Sequence, residues 1–213
     1  LPQALRPPAL LGLFFMLLLA RGVLASPTNL LLGDSIRAAY GKTLEHGWVA
    51  LMEAPLRVDN PQVKEGNARN SGETSAGGRR RLPGLLADYS PDLLIVELGG
   101  NDGLRGYPTT QLAANLEEMV KLGIAAGSRV LVLPMEIPPN YGPRYTNAFR
   151  DSFRNAAAPD GARLGPFPMA DVALDPGLMQ SDGIHPTVAA QPLIVDAVLP
   201  VVRGELGALA VAK

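Results

Sequence analysis

The chain has 213 residues, a formal net charge of -1, and a composition that is 47% hydrophobic and 18% charged. That is enough chain for one domain with a sizeable core, and the composition is too apolar for a disordered segment. With no cysteine and only two histidines, His46 and His185, disulfides, thiolate zinc sites, a cysteine nucleophile and a histidine-rich metal centre are excluded, and the near-neutral charge gives no reason to propose nucleic acid as a partner.

At the N-terminus, Arg6 precedes an apolar run from Ala9 to Ala20. Val23-Leu24-Ala25 follows, with small residues at the positions a signal peptidase reads. Residues 1–25 are therefore expected to be a signal peptide and residues 26–213 a single domain, placed in the periplasm or secreted. The run falls short of the about 20 residues that a membrane span needs, so an uncleaved anchor is the alternative. Cleavage removes Arg6 and Arg21, leaving 17 basic against 20 acidic residues. Export without cysteine is ordinary for a chain with a core of this size.

Beyond that segment, short apolar runs alternate with longer amphipathic stretches. Leu30-Leu31-Leu32 reads as a buried strand ending at Gly33, Asp92 to Leu98 as a second, and Arg129 to Met135 as a third. Between the first two, a second strand in chain order is expected somewhere between Leu56 and Arg69. Its Val63-Lys64-Glu65-Gly66-Asn67 core is polar, which suits a short or edge strand. Thr109 to Ala126 carries Leu112, Leu116, Met119, Val120 and Gly123 at helical spacing, with Gly127 as its cap. Arg144 to Ala158 and Val188 to Leu206 are further helices. Pro192 fits a first turn, and Pro200 is expected to kink or end the last helix. Apolar strands separated by helices indicate a parallel sheet covered on both faces, with ligands bound beyond the carboxyl ends of its strands.

The unusual residues fall in the loops at that rim. Gly33-Asp34-Ser35-Ile36 follows the first strand, where a serine hydroxyl opens to a cleft and the N–H groups of the oncoming helix face a developing anion. A plain helix cap accounts for the same letters. Asn70-Ser71-Gly72 follows the second strand, and Gly99-Gly100-Asn101-Asp102-Gly103 follows the third; each offers donors to one cleft, and each is also an ordinary turn sequence. Asp182-Gly183-Ile184-His185 places a carboxylate three residues before a histidine, close enough in a tight turn to fix the ring's tautomer. The bland alternative is a surface turn. The shortage of histidines weakens it, because His46 sits at an expected helix start and reads as a surface or capping residue. Nucleophile, base, orienting acid and two donors thus converge on one rim.

These four segments, in this order, resemble the SGNH (GDSL) hydrolase superfamily, whose letters match Ser35, Gly72, Asn101 and His185. The blocks Glu97 to Gly106, Pro139-Asn140-Tyr141-Gly142 and Met179 to Pro186 resemble its bacterial periplasmic thioesterase/arylesterase/lysophospholipase branch, and the likeness runs from about Leu30 to about Val201. It implies a three-layer α/β/α sandwich with a flavodoxin-like parallel sheet of about five strands. It further implies Ser35 as nucleophile and His185 as base with Asp182 as its partner. The N–H groups of Ser35 and Gly72 and the side chain of Asn101 would form the oxyanion hole. Gly-Asp-Ser-Ile stands where Gly-Asp-Ser-Leu is commoner, and Pro108 stands in a segment, Gly103 to Pro108, that resembles the branch's mobile loop.

The implied reaction is hydrolysis of carboxylic esters or thioesters of acyl chains, with a small acyl ester, thioester or lysolipid as substrate. No cofactor or metal, no nucleic acid, no membrane span after cleavage and a monomeric state are expected. Leu104, Tyr107, Ile137, Pro138 and Tyr141 are candidates for an apolar acyl groove, with Asp34 and Pro108 as further substrate contacts and Arg105, Arg144 and Tyr145 as contacts to a head group. An esterase removing O-acetyl groups from carbohydrate or peptidoglycan is the alternative on the same catalytic frame.

Overall fold

The computed structural model of the chain describes residues 27–34, 47–59, 61, 63–159 and 161–212. The expected signal segment, Ser35 and His46 lie outside the described residues.

The first strand, β1 (Thr28–Gly33), is followed by helix α1 (Trp48–Asp59), strand β2 (Lys64–Arg69), helix α2 (Ser75–Tyr89) and strand β3 (Leu93–Glu97). Then come a short helix α3 (Gly100–Leu104), helix α4 (Thr109–Ala125), strand β4 (Arg129–Val132), helix α5 (Pro143–Ala156), strand β5 (Ala162–Leu164) and helix α6 (Gln191–Ala212). All strand pairs are parallel, in the order β2-β1-β3-β4-β5. The expected α/β sandwich with a five-stranded parallel sheet is what the chain forms.

The central strands read as continuous apolar runs because both faces are covered. Leu30, Leu32, Leu93, Leu94, Val130 and Leu131 are fully buried. On one face, helices pack close because glycine stands at the contact: a Cβ on Gly78 of α2 would lie 2.2 Å from Leu98, and one on Gly123 of α4 2.8 Å from Leu94 and Val130. On the other face, Val49 and Met52 of α1 meet Leu31 and Ile95 across a small cavity.

The polar segment expected as a weak strand is β2, and it is an edge. One neighbour, β1, supplies its ladder partners from Thr28↔Lys64 to Gly33↔Arg69, so a two-sided apolar pattern is not needed. Gly66 is required there, since a Cβ would lie 2.7 Å from the Tyr89 ring.

Three features depart from expectation. Helix α2 carries three arginines, Pro83 and few apolar residues, so its amphipathic signal is faint. The Asn101 block is a helix, α3, and not a plain turn. Pro200 does not end the last helix, which continues to Ala212. Pro200 and Asp196, whose carbonyl loses its N–H partner, both face outward, so water can take that bond.

Candidate active site

Because the strands are parallel, the segments leaving β1, β2 and β3 share one rim, and the chain order reverses around β1 there. Gly33 ends β1 and Asp34 follows, 1% exposed. Gly99 leaves β3 with φ 122°, and a Cβ there would lie 2.9 Å from Phe153 and 3.0 Å from Leu112. Only glycine fits that turn. It starts α3 at once, which puts Asn101 in the first turn of the helix.

Asn101 is the hub of this wall. Its Nδ2 donates to Asp34 Oδ2 at 2.9 Å and to the Glu73 carbonyl at 3.1 Å. The amide thereby ties the segment after β1 to the segment after β2. Gly72 takes φ 72°, a left-handed backbone that glycine adopts readily. Its carbonyl accepts from Arg105 Nη2 at 3.2 Å. The neighbouring Glu73 carboxylate is buried and paired with Arg81 of α2, whose Nη2 also donates to the Ala68 carbonyl at 3.0 Å. Sequence alone does not announce this brace, because Glu73 lies just before α2 and Arg81 within it, and α2 carries few apolar residues.

The second cluster lies in the loop before α6. An antiparallel bridge joins Met179 to Pro186, and backbone bonds run from Gln180 N to the His185 carbonyl at 2.8 Å and from Thr187 N to the Leu178 carbonyl at 2.7 Å. Inside that frame, Asp182 Oδ2 meets His185 Nδ1 at 2.7 Å, while Oδ1 accepts the N–H groups of Ile184 at 2.9 Å and His185 at 3.0 Å. The backbone N–H of His185, then its ring, hold the Asp182 carboxyl down to about 2. A proton on Nδ1, held by this carboxylate, makes Nε2 the basic nitrogen of the ring. The loop is anchored to the start of α1 by Gln191, which accepts from Trp48 N at 2.9 Å and donates to the Thr187 carbonyl at 3.0 Å.

The groove residues divide. Ile137 belongs to the core, packed under Gly103, where a Cβ would lie 2.6 Å from it. Asp34 is buried against Asn101 and not open to a ligand in the described structure. These two expected substrate contacts are both buried. Leu104 is half-buried, while Tyr107, Pro108 and Pro138 are exposed. Tyr141 and Tyr145 stack at 5.9 Å and donate to the carbonyls of Leu104 (2.7 Å) and Tyr107 (2.6 Å). Burial, with the Asp102 charge second, pushes the Tyr145 phenol up. Beside them a cavity of about 430 Å³ is lined by Thr109, Tyr141, Pro143, Arg144, Tyr145 and Ala148. Arg105 and Tyr145, expected at a head group, spend polar atoms on the backbone instead.

The profile of the GDSL-like Lipase/Acylhydrolase family matches residues 31–192. The chain belongs to this family. It is 46% identical over 179 residues to "Esterase TesA" of Pseudomonas aeruginosa, covering 84% of this chain and 89% of that protein. It is 40% identical over 186 residues to "Thioesterase 1/protease 1/lysophospholipase L1" of Escherichia coli K12, covering 87% and 88%. Among solved structures, the psychrotrophic esterase EstA from Pseudoalteromonas sp., inhibited by monoethylphosphonate, superposes with a TM-score of 0.80 at 42% identity, covering 84% of this chain and 98% of that one. The chain is accordingly a hydrolase of the GDSL type, and its relatives act as esterases and thioesterases by name.

Proposed function

We propose that this hydrolase cleaves carboxylic esters and thioesters of acyl chains through an acyl-enzyme on Ser35. The observation that carries the reading is the Asp182–His185 pair, 2.7 Å apart through Nδ1, in a chain with only two histidines. Ser35 Oγ attacks the carbonyl carbon as His185 Nε2 takes its proton. The oxyanion is held by the N–H groups of Ser35 and Gly72 and by Asn101 Nδ2. His185 then protonates the leaving alcohol or thiol, and water repeats the cycle on the acyl-enzyme. Asn101 already spends Nδ2 on Asp34 and Glu73, so it serves the oxyanion by sharing or releasing one of these bonds. Relatives named as esterase and as thioesterase and lysophospholipase support acyl substrates over O-acetylated carbohydrate.

The deciding experiment pairs a p-nitrophenyl ester series, from two to sixteen carbons, with acyl-CoA, lysophosphatidylcholine and acetyl-xylan. Turnover of the acyl series is expected; turnover of acetyl-xylan alone would replace the substrate class. Ser35→Ala should form no covalent adduct with a phosphonate ester, the inhibitor class named for the Pseudoalteromonas relative. An adduct on that variant would assign the nucleophile elsewhere. Residues 1–25 are proposed to direct a monomeric domain, 26–213, to the periplasm or out of the cell. N-terminal sequencing after expression with the segment present, and sedimentation of the product, test both.

A further inference from the structure

Next to Asn101 stands a carboxylate that the reaction does not use. Asp102 is 3% exposed and Ser75, its partner, is fully buried. Asp102 Oδ2 accepts the Ser75 N–H at 2.8 Å and Oδ1 accepts the Ser75 hydroxyl at 2.6 Å. The hydroxyl in turn accepts from Asn115 Nδ2 of α4 at 2.9 Å. The direction of this chain is fixed, since the amide and the backbone N–H can only donate. Ser75 is also the first residue of α2, so the carboxylate lies at the positive end of a 15-residue helix.

Burying a carboxylate is costly, and apolar groups of the same volume often stabilise a fold as well or better. Its position suggests what it serves. Asp102 follows Asn101, one expected oxyanion donor, and Ser75 lies three residues after Gly72, a second. Two more bonds run between the same two segments: Asn101 Nδ2 to the Glu73 carbonyl and Arg105 Nη2 to the Gly72 carbonyl. Residues 101, 102 and 105 thus each grip one point of the stretch from Gly72 to Ser75. From the other side, Gly103 lies so close to Ile137 and Phe149 that α3 cannot settle deeper into the core.

We propose that Asp102, acting through Ser75, is a positioning residue that sets the distance between the Asn101 amide and the Gly72 N–H, and so the geometry of the oxyanion hole. The role rests on the functional assignment above. It belongs to the transition state, because an oxyanion hole is matched to the tetrahedral intermediate more closely than to the ground-state carbonyl.

The test is a pair of cycles: Ser75→Ala and Asp102→Asn, each alone and in an Asn101→Ala background, with kcat, KM and thermal midpoint on one p-nitrophenyl ester. Each single variant should lower kcat about tenfold, as displacement of catalytic groups by a fraction of an ångström does, while KM stays within about twofold. With Asn101 already alanine, the same change should lower kcat by only about threefold or less, because the donor it positions is gone. The thermal midpoint should fall by the same amount in both backgrounds. Equal kcat factors in the two backgrounds, or a loss confined to the thermal midpoint, would make the network a fold element only. Should Asp102→Asn not fold, Ser75→Ala decides, since it keeps the carboxylate and its bond to the backbone. A wild-type protein without ester turnover would sink the functional assignment and this role with it. A wild type that turns over, with equal factors, sinks this role alone.

Discussion

Asn101 is tied to Asp34 across 67 positions of chain and to Glu73 across 28, whereas Asp182 and His185 are tied across three. The wall proposed to hold the oxyanion is therefore a product of the whole fold: three strand ends, α2, α3 and α4 must dock before it forms. The Asp182–His185 pair is a product of one loop, closed by its own bridge and backbone bonds. Exposure follows the same division. Asp34, Glu73, Ser75 and Asp102 are buried, while the Asp182 side chain is 37% exposed. A change in the wall should cost stability and rate together; a change in the pair should cost mainly rate.

The largest effect expected is on the pair. His185→Ala removes the proposed base and should lower kcat by about 10⁴-fold or more, with stability within about 1 kcal/mol of wild type because its bond to Asp182 lies in an exposed loop. Ester turnover and chemical denaturation measure both. Retained turnover would remove His185 from the mechanism, and a large stability loss would break the contrast between the two regions. Asn101→Ala comes next, about 10² to 10³ in kcat. It takes a donor from the buried Asp34 carboxylate and from the Glu73 carbonyl, so about 1–3 kcal/mol of stability should go too. A stable but slow Asn101→Ala enzyme would show that the wall is held by other ties. Gly72→Ala should do less. A Cβ there meets nothing nearer than Arg105 at 3.8 Å, so the penalty is backbone strain of roughly 1 kcal/mol at φ 72°, with kcat down about tenfold if its N–H turns away.

This division also explains what the sequence disclosed. Asp182 and His185 could be paired from their spacing alone, because the turn that joins them is local. The central strands were legible from their apolar runs, and α4 from its helical spacing and Gly127. What escaped were contacts across the chain. Ser75–Asp102–Asn115 and Glu73–Arg81 pair residues from separate elements, and nothing in either local sequence announces the partner. Helix α2 is faint in the sequence because its closest approach to the sheet is made at Gly78, with Leu82 and Leu86 the only large apolar side chains it buries. Ile137 was placed at a groove because its loop is at the rim, but its side chain turns inward under Gly103. Pro200 is expected to kink or end its helix on the strength of its missing N–H, and the helix runs on to Ala212 because an outward-facing position lets water offset that cost.

The smallest effect expected is one of pH, and it bears on how self-contained the pair is. The Asp182 carboxyl is held down to about 2 from an ordinary 3.8, first by the backbone N–H of His185. A depressed value in the folded state means that the unfolded chain takes up the proton first as pH falls. The stability this carboxylate contributes is therefore complete above the ordinary value and is lost as pH drops from 3.8 through about 2. Asp182→Asn carries no such proton, so its stability difference from wild type should narrow as pH falls below about 4. The change should be small, because the side chain is more than a third exposed and solvent screens it. A carbon-13 titration of the Asp182 carboxyl reads the same quantity directly. A midpoint near 2 would place the hold within the loop, since two of its three bonds come from the loop's own backbone. A midpoint near 3.8 would mean that the loop does not grip the carboxylate in solution, and that the orientation of His185 depends, like the oxyanion wall, on contacts from elsewhere in the fold.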